Sequence, residues 1–391
     1  MTKETVTGAQ EPCDTSQVSA AKLPGQVVLA FQGGGALGAY QAGVYEALHE
    51  AGIEPDWVIG TSIGAINGAI IAGNEPARRM DRLRAFWHHI EYRGLSGGVG
   101  LLWPQFQSAL ASAETILEGV PGFFSPNFYA WLGLLAPVGV DRAALYSVAA
   151  LADTLMGLVD LERLKAASTR FTVGAVKIRN GEMIYFDSRD RAIGLEHVLA
   201  SSALPPAFPG VRIEDEIYWD GGVYSNTPME VVFDDNPRRN SVVFAVHLWN
   251  PVGPEPESIW QVLGRQKEIQ YSSRIASHIA RHEQIHRLRH IIRKLAELLP
   301  PQERDTPEVR NLCAYGCHTV MHFVQLYAPR NEDQYQTRDI DFTSAGIRTR
   351  WQAGYADASR ALAERPWENS ENPMSGVVVH EITNPEAAAA R

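Results

Sequence analysis

Two short apolar runs, each delivered into a glycine-bearing turn and then a helix, constrain this chain more than any other feature. Val27-Val28-Leu29-Ala30-Phe31 leads into Gly33-Gly34-Gly35-Ala36-Leu37-Gly38, and a helical stretch carrying Tyr40, Val44, Ala47 and Leu48 follows, with Gly52 where a C-terminal cap belongs. Trp57-Val58-Ile59-Gly60-Thr61 then leads into Ser62 and a second helix opening at Ile63-Gly64-Ala65-Ile66-Asn67. Unbroken apolar runs suit strands covered on both faces, and strand–helix–strand–helix in so short a stretch predicts an α/β fold on a parallel sheet.

Composition narrows the function. The 391 residues carry 35 basic and 45 acidic side chains, a formal charge of −10, which argues against a nucleic-acid binder. A charged fraction of 20% beside 45% hydrophobic residues excludes wholesale disorder. Three cysteines (Cys13, Cys313, Cys317) make no disulfide framework and suit a reducing compartment. The opening MTKETVTGAQEPCDTSQ lacks the basic start and apolar run of a signal peptide, and no apolar stretch nears the roughly 18–20 residues that span a bilayer. The expectation is a soluble cytoplasmic protein whose membrane contact, where it occurs, is peripheral.

Residues 1–24 read as a mobile tail and 25–250 as the catalytic part. Within it, 76–92 reads as an amphipathic helix, and 101–140 as an apolar insertion that either fills core or forms a lid or acyl tunnel. Phe171–Ile178 and Glu182–Asp187 read as a hairpin closed by a type I′ turn at Asn180-Gly181. Val211–Glu214 and Ile217–Trp219 read as a second hairpin delivering Asp220-Gly221-Gly222, and Ser241–Trp249 as a central strand. Pro251, Pro254 and Pro256 mark a linker into a helical extension over 251–383, with a tail at 384–391. In that extension, 275–299 keeps a helical period, Met321–Ala328 is a candidate return to the sheet, and Thr343–Leu362 is a last helix.

Gly60-Thr61-Ser62-Ile63-Gly64 matches the nucleophile elbow, in which small neighbours let a strand-to-helix turn present a serine above the helix N-terminus. Gly94-Leu95-Ser96-Gly97-Gly98 matches too, but follows a helix rather than a strand and reads as a decoy. Gly33–Gly38 supports two readings. As Gly-x-Gly-x-x-Gly, with Asp56 near the ribose-binding spacing, it fits a dinucleotide fingerprint; as three consecutive backbone amides at a helix start, it fits an oxyanion hole. The elbow on the next strand favours the second, because both loops emerge at one sheet edge. A serine nucleophile needs a base, and the twelve histidines sit poorly: His278, His282, His286 and His290 form one helix stripe, His318 and His322 read as helical, and His247 lies in a strand. Cys313, Cys317, His318 and His322 lack zinc spacing, so no metal is expected. Residues 281–294, with five basic side chains and one acid, read either as a solvated face packed on the acidic catalytic part or as a stripe docking on an anionic membrane or lipid droplet.

FQGGGALGAYQAGV, GTSIGA, ASSALPPAFPGV and DGGVYSNTP, in that order over about residues 27–250, resemble the patatin-like phospholipase family. The resemblance implies a three-layer α/β/α sandwich with a mainly parallel sheet, extended here by C-terminal helices. It implies a serine esterase acting on acyl esters of lipids through a dyad: Ser62 as nucleophile, Asp220 as general base, and the amides of Gly33, Gly34 and Gly35, with that of Ile63, as oxyanion hole; a catalytically silent lipid-binding scaffold is the alternative. Neither cofactor nor metal is implied, and protein partners are left open. Ala36-Leu37 stand where many relatives carry a basic residue.

Overall fold

Six strands align in parallel, in the order β11 (Val377–Glu381), β10 (Met321–Tyr327), β9 (Ser241–His247), β1 (Gln26–Phe31), β2 (Trp57–Gly60) and β5 (Arg170–Lys177), numbered by chain position. β1 pairs with β2 on one edge and β9 on the other, which is why Val28 to Phe31 are wholly buried and apolar. The sheet finishes antiparallel: β6 (Met183–Asp187) and β8 (Glu216–Asp220) both pair with β5, and β7 (Val211–Ile213) pairs with β8. A two-stranded ribbon joins β3 (Ser125–Pro126) and β4 (Tyr146–Ser147). This computed structural model describes residues 23–92, 114–127, 129–130, 136–272, 275–330, 337–369 and 375–382. The Gly94–Gly98 motif, residues 1–22, 101–113 and 384–391 lie outside the described residues.

Helices cover both faces, giving the three layers. Leu29, Phe31, Val58, Val173 and Phe244 face α1 (Ala39–Glu50), α2 (Ile63–Ala72), α3 (Pro76–His89) and the late helix Ser344–Glu364. Val28, Ala30, Ile59, Val243 and Phe323 face the turn of helix at Glu230–Phe233 and the front of the long helix Ile275–Leu298. The alternation along each strand assigns successive residues to opposite layers. α2 is buried at every position, as its sequence IGAINGAIIA requires. On the long helix the histidine stripe turns inward: His282 stacks on Phe233 at 4.3 Å, Phe233 stacks on Phe323 at 4.6 Å, and His286 and His290 are buried. No helix among the described residues is long and apolar enough to cross a membrane.

Several expectations change. The Asn180-Gly181 turn is not a two-residue type I′: the ladder closes at Lys177 and Glu182, only Gly181 has positive φ (71°), and a four-residue loop bridges the strands. His318 lies in a loop and His322 on β10, so the i, i+4 spacing there marks no helix. Cys313 ends the helix Pro307–Cys313 while Cys317 lies beyond it, and among the described residues no group of three or more His, Cys, Asp or Glu gathers as a metal site. The stretch after residue 250 is not helical throughout: besides β10 it supplies β11, which the sequence reading did not assign to a strand.

Candidate active site

Because β1 and β2 are parallel neighbours, the loops that follow them emerge side by side at the carboxyl edge of the sheet. Ser62 stands at the head of α2 with φ 57° and ψ −126°, a conformation that L-residues adopt only when the surroundings hold them there. The flanking glycines make the turn sterically feasible. A Cβ on Gly60 would lie 2.3 Å from the Gly64 carbonyl oxygen, and one on Gly64 would lie 2.4 Å from that of Phe31. Two further serines grip the elbow: the Ser62 N–H donates to Ser201 Oγ at 3.0 Å, and Ser202 Oγ donates to the Ser62 carbonyl at 3.4 Å. The Ser62 hydroxyl does not cap its own helix and lies near enough to the Asp220 carboxylate to favour its charged form.

Asp220 reaches that position through the sheet. β6 occupies one edge of β5 from Thr172 to Val176, so β8, paired to Ala175, Val176 and Lys177, lies on the edge β5 shares with β2, beyond the end of β2. Running antiparallel, β8 ends at Asp220 and meets the chain leaving β2, which is where Ser62 stands. Asp220 is 1% exposed. Burial pushes its carboxyl up to about 7, against the lowering effect of the Ser62 hydroxyl and of the Gly222 N–H, which donates to Oδ1 at 2.7 Å.

The glycine loop is held on several sides. The Gly33 N–H donates to the Asn226 carbonyl at 3.2 Å, while the Gly33 carbonyl accepts from Asn226 Nδ2 at 2.9 Å and Trp249 Nε1 at 2.8 Å. Of the four sequence-predicted oxyanion donors, Gly33 therefore already spends its N–H inside the fold. The N–H groups of Gly34, Gly35 and Ile63 have no acceptor among the described residues, and all three residues line the same cavity as Ser62 and Asp220. Ala36 N–H donates to the Asp339 carbonyl at 2.8 Å, tying the loop to the C-terminal part of the chain. Asp56, the acid that a dinucleotide reading needs, accepts from the Val27 N–H at 2.8 Å at the opposite edge of the sheet, remote from the glycines.

Beneath the loops runs a buried polar network that the sequence reading missed. Gln32 donates to Thr227 Oγ1 at 2.7 Å and to the Tyr271 carbonyl at 3.0 Å, and its Oε1 accepts from the N–H groups of Leu248 (2.5 Å) and Trp249 (3.0 Å). Its own carbonyl accepts from Gln41 Nε2 at 2.6 Å, and Asn67 links Gln41 (2.9 Å) to Trp87 (3.1 Å). The available signal was an amide side chain set into an otherwise apolar run, in AFQGGG and in SIGAIN. Gln32→Leu keeps much of the bulk and leaves two buried N–H groups without acceptors. It is expected to cost at least about 2 kcal/mol in chemical denaturation.

The cavity beside Ser62 has a volume of about 160 Å³. Its polar end comprises the glycine loop, Ser62 and Asp220; its other walls are mostly apolar, with Phe123, Phe124, Tyr146, Phe208 and Phe342 among them, though Thr115, Asn226 and Asp339 also line it. Tyr271 also lines it, with its ring 5.1 Å from that of Trp249. Burial, then the charges of Asp220 and Asp339, push the Tyr271 phenol up to about 12. A hydroxyl beside a buried carboxylate, with unspent amides alongside and mostly apolar walls, is equipped for acyl transfer.

Comparison with known proteins agrees with that chemistry. A family model described as patatin-like phospholipase matches residues 29–233, more than half of the chain, and a second, described as patatin phospholipase, matches residues 269–374. The chain belongs to the patatin-like phospholipase family. It is 56% identical over 54 residues to lysophospholipase nte1 of Aspergillus terreus, a match covering 14% of this chain and 4% of that protein. It is 37% identical over 79 residues to patatin-like phospholipase domain-containing protein 6 of Homo sapiens, covering 20% of this chain and 6% of that one. The matches thus span only a small fraction of these relatives' length. Among solved structures it is similar to VipD from Legionella pneumophila, at 15% identity over 87% of this chain and 67% of that one with a TM-score of 0.37. It is also similar to the type III effector ExoU, at 15% identity over 88% and 53% with a TM-score of 0.31.

Proposed function

We propose that this protein is a lipid acyl hydrolase that cleaves acyl esters through an acyl-enzyme on Ser62, with Asp220 as its base. The observation that carries the reading is the convergence on one cavity of Ser62 on its strained elbow, the N–H groups of Gly34, Gly35 and Ile63, and the buried Asp220, whose carboxyl is raised by burial into the neutral range. Asp220 takes the hydroxyl proton as Oγ attacks the ester carbonyl carbon. The negative charge that develops on the carbonyl oxygen is received by the N–H groups of Gly34, Gly35 and Ile63, and Gly33 holds the loop in place. Collapse expels the alcohol, which takes its proton from Asp220. A water then repeats the sequence on the acyl-enzyme, with Asp220 as base again, releasing the carboxylic acid and free Ser62. Family membership and the lysophospholipase relative support lipid esters as the substrate class.

The test is active-site labelling with a fluorophosphonate, read by intact mass and peptide mapping, on wild type, Ser62→Ala and Ser96→Ala. Stoichiometric label on Ser62 in wild type and Ser96→Ala, with none in Ser62→Ala, is the expected result. Failure of wild type both to label and to hydrolyse any acyl ester would overturn the proposal.

A further inference from the structure

Tyr271 lines the cavity with Ser62 and Asp220, yet it belongs to neither the elbow nor the glycine loop. It comes from the helix Ile259–Ser272, beyond the family match at residues 29–233 and inside the one at 269–374. Backbone, ring and helix together fix its position. Its carbonyl accepts from Gln32 Nε2 at 3.0 Å, one residue before the glycine loop. Its ring lies 5.1 Å from that of Trp249, whose Nε1 donates to the Gly33 carbonyl at 2.8 Å. One turn earlier in the helix, Glu268, 2% exposed, accepts from Arg338 at 2.7 Å and from Arg330 at 2.9 and 3.0 Å. Charge-assisted bonds of this kind hold the helix against rotation. The Tyr271 hydroxyl itself has no hydrogen-bond partner among the described residues. A largely buried phenol ordinarily finds one. The charges that act on it, of Asp220 and then of Asp339, both belong to cavity-lining residues, so the hydroxyl end faces the cavity.

The dyad chemistry defines what such a hydroxyl meets. Asp220 hands its proton to the departing alcohol, so the alcohol oxygen comes within reach of Asp220, whose charge is the stronger of the two on the phenol. The carbonyl oxygen has the amides of Gly34, Gly35 and Ile63; the alcohol oxygen has none of them. With burial and both carboxylates holding it up to about 12, the phenol stays protonated, and so remains a donor, wherever Asp220 is ionised. We propose that Tyr271 is a further catalytic residue, whose hydroxyl donates a hydrogen bond to the alcohol oxygen of the ester as the bond from that oxygen to the acyl carbon breaks. Tyr271 keeps its proton, and the proton that the alcohol carries away is the one Asp220 took from Ser62. This inference rests on the reading of Ser62 and Asp220 as the dyad.

The experiment compares two octanoyl esters, of p-nitrophenol and of glycerol, on wild type and Tyr271→Phe, with Ser62→Ala as blank. p-Nitrophenolate departs without a donor, whereas a glyceryl oxygen accumulates charge that needs one. In the variant, kcat/KM is expected to fall at least about tenfold more for the glyceryl ester than for the p-nitrophenyl ester, since a hydrogen bond to a charged group is worth about ten- to a hundredfold. The hydroxyl has no partner to lose, so the melting temperature of Tyr271→Phe and its fluorophosphonate labelling, which expels fluoride, should follow wild type. Equal losses on the two esters, or no loss on either, would overturn the role of Tyr271 while leaving the acyl-enzyme reading intact. So would a wild type that labels on Ser62 but turns over only the p-nitrophenyl ester. Unfolding of Tyr271→Phe would also count against the proposal, because it would make the hydroxyl structural. Absence of label and of hydrolysis of either ester by wild type would overturn both readings.

Discussion

Asp220→Asn is expected to reduce kcat/KM by about three orders of magnitude, because a positioned general base contributes about 10²- to 10⁴-fold and an amide cannot accept the Ser62 proton. The loss should appear in kcat, leave the far-UV spectrum unchanged, and be measurable with any ester the wild type turns over. Two dependences on pH accompany it, with opposite signs. The base works only when ionised, so wild-type kcat/KM should rise with pH through about 7 and level off above, a limb that the variant lacks. Stability runs the other way. The folded carboxyl titrates near 7 and an unfolded aspartate near about 4, so between those values the native state holds the proton more firmly. The contribution of Asp220 to stability is thus fully present below pH about 4 and is lost as pH rises through about 7. Removing the charge should stabilise the protein at pH 8, by at most about 4 kcal/mol, and do little at pH 4. Melting curves of variant and wild type at the two pH values check this, and a melting difference independent of pH would remove the perturbed carboxyl from the account. A residue that costs stability where the protein is active fits a functional role better than a structural one.

The second large effect is steric. The helix α1 and the late helix Ser344–Glu364 meet backbone to backbone. A Cβ on Gly43 would lie 1.9 Å from the Trp351 carbonyl oxygen, and one on Gly354 would lie 2.0 Å from that of Tyr40. Neither obstacle is a side-chain end that could swing away, so Gly354→Val must push the helices apart, at a cost of about 3 kcal/mol or more. The same displacement strains the Tyr40 hydroxyl bond to Asp357, at 2.8 Å, and shifts the start of α1, which is also the end of the glycine loop. Thermal unfolding followed by circular dichroism should show the loss directly. Whatever Gly354→Val retains as folded protein should show a lowered kcat, because the Gly34 and Gly35 amides move with the helix. An unchanged melting temperature would mean that the crossing is looser than its contacts indicate.

What could be read from the sequence divides along the range of the interactions. β1, the glycine loop, α1, β2 and Ser62 were legible because each is specified by its immediate neighbours: an apolar run, a turn residue, a helical period. Asp220 was not legible from its own surroundings, since Asp-Gly is among the commonest turn pairs; only the resemblance pointed to it. Its placement depends on β8 meeting the end of β2 along β5, a pairing between residues far apart in the chain. His318 and His322 misled because recurrence every four residues is read as helix, whereas burial between β9 and β11 puts His322 in a strand. Val377–Glu381 went unread for the complementary reason: five residues past a proline- and serine-bearing stretch give too short a pattern to distinguish strand from tail. Gln32 shows the limit most clearly, because nothing local says that one glutamine will serve four partners from three other segments.

The order of strands also bears on how such a chain is inherited. The two family matches, 29–233 and 269–374, look like separable modules along the sequence, yet β9 belongs to neither and joins β1 of one to β10 of the other. A crossover between relatives anywhere in that gap would ask one ancestor's β9 to fit both an unfamiliar neighbour and the helices above it, and a shortened copy ending there would offer solvent a bare, apolar sheet edge. Through β9 the two matched stretches share one continuous sheet, so the pieces that the sequence separates are a single body in the fold.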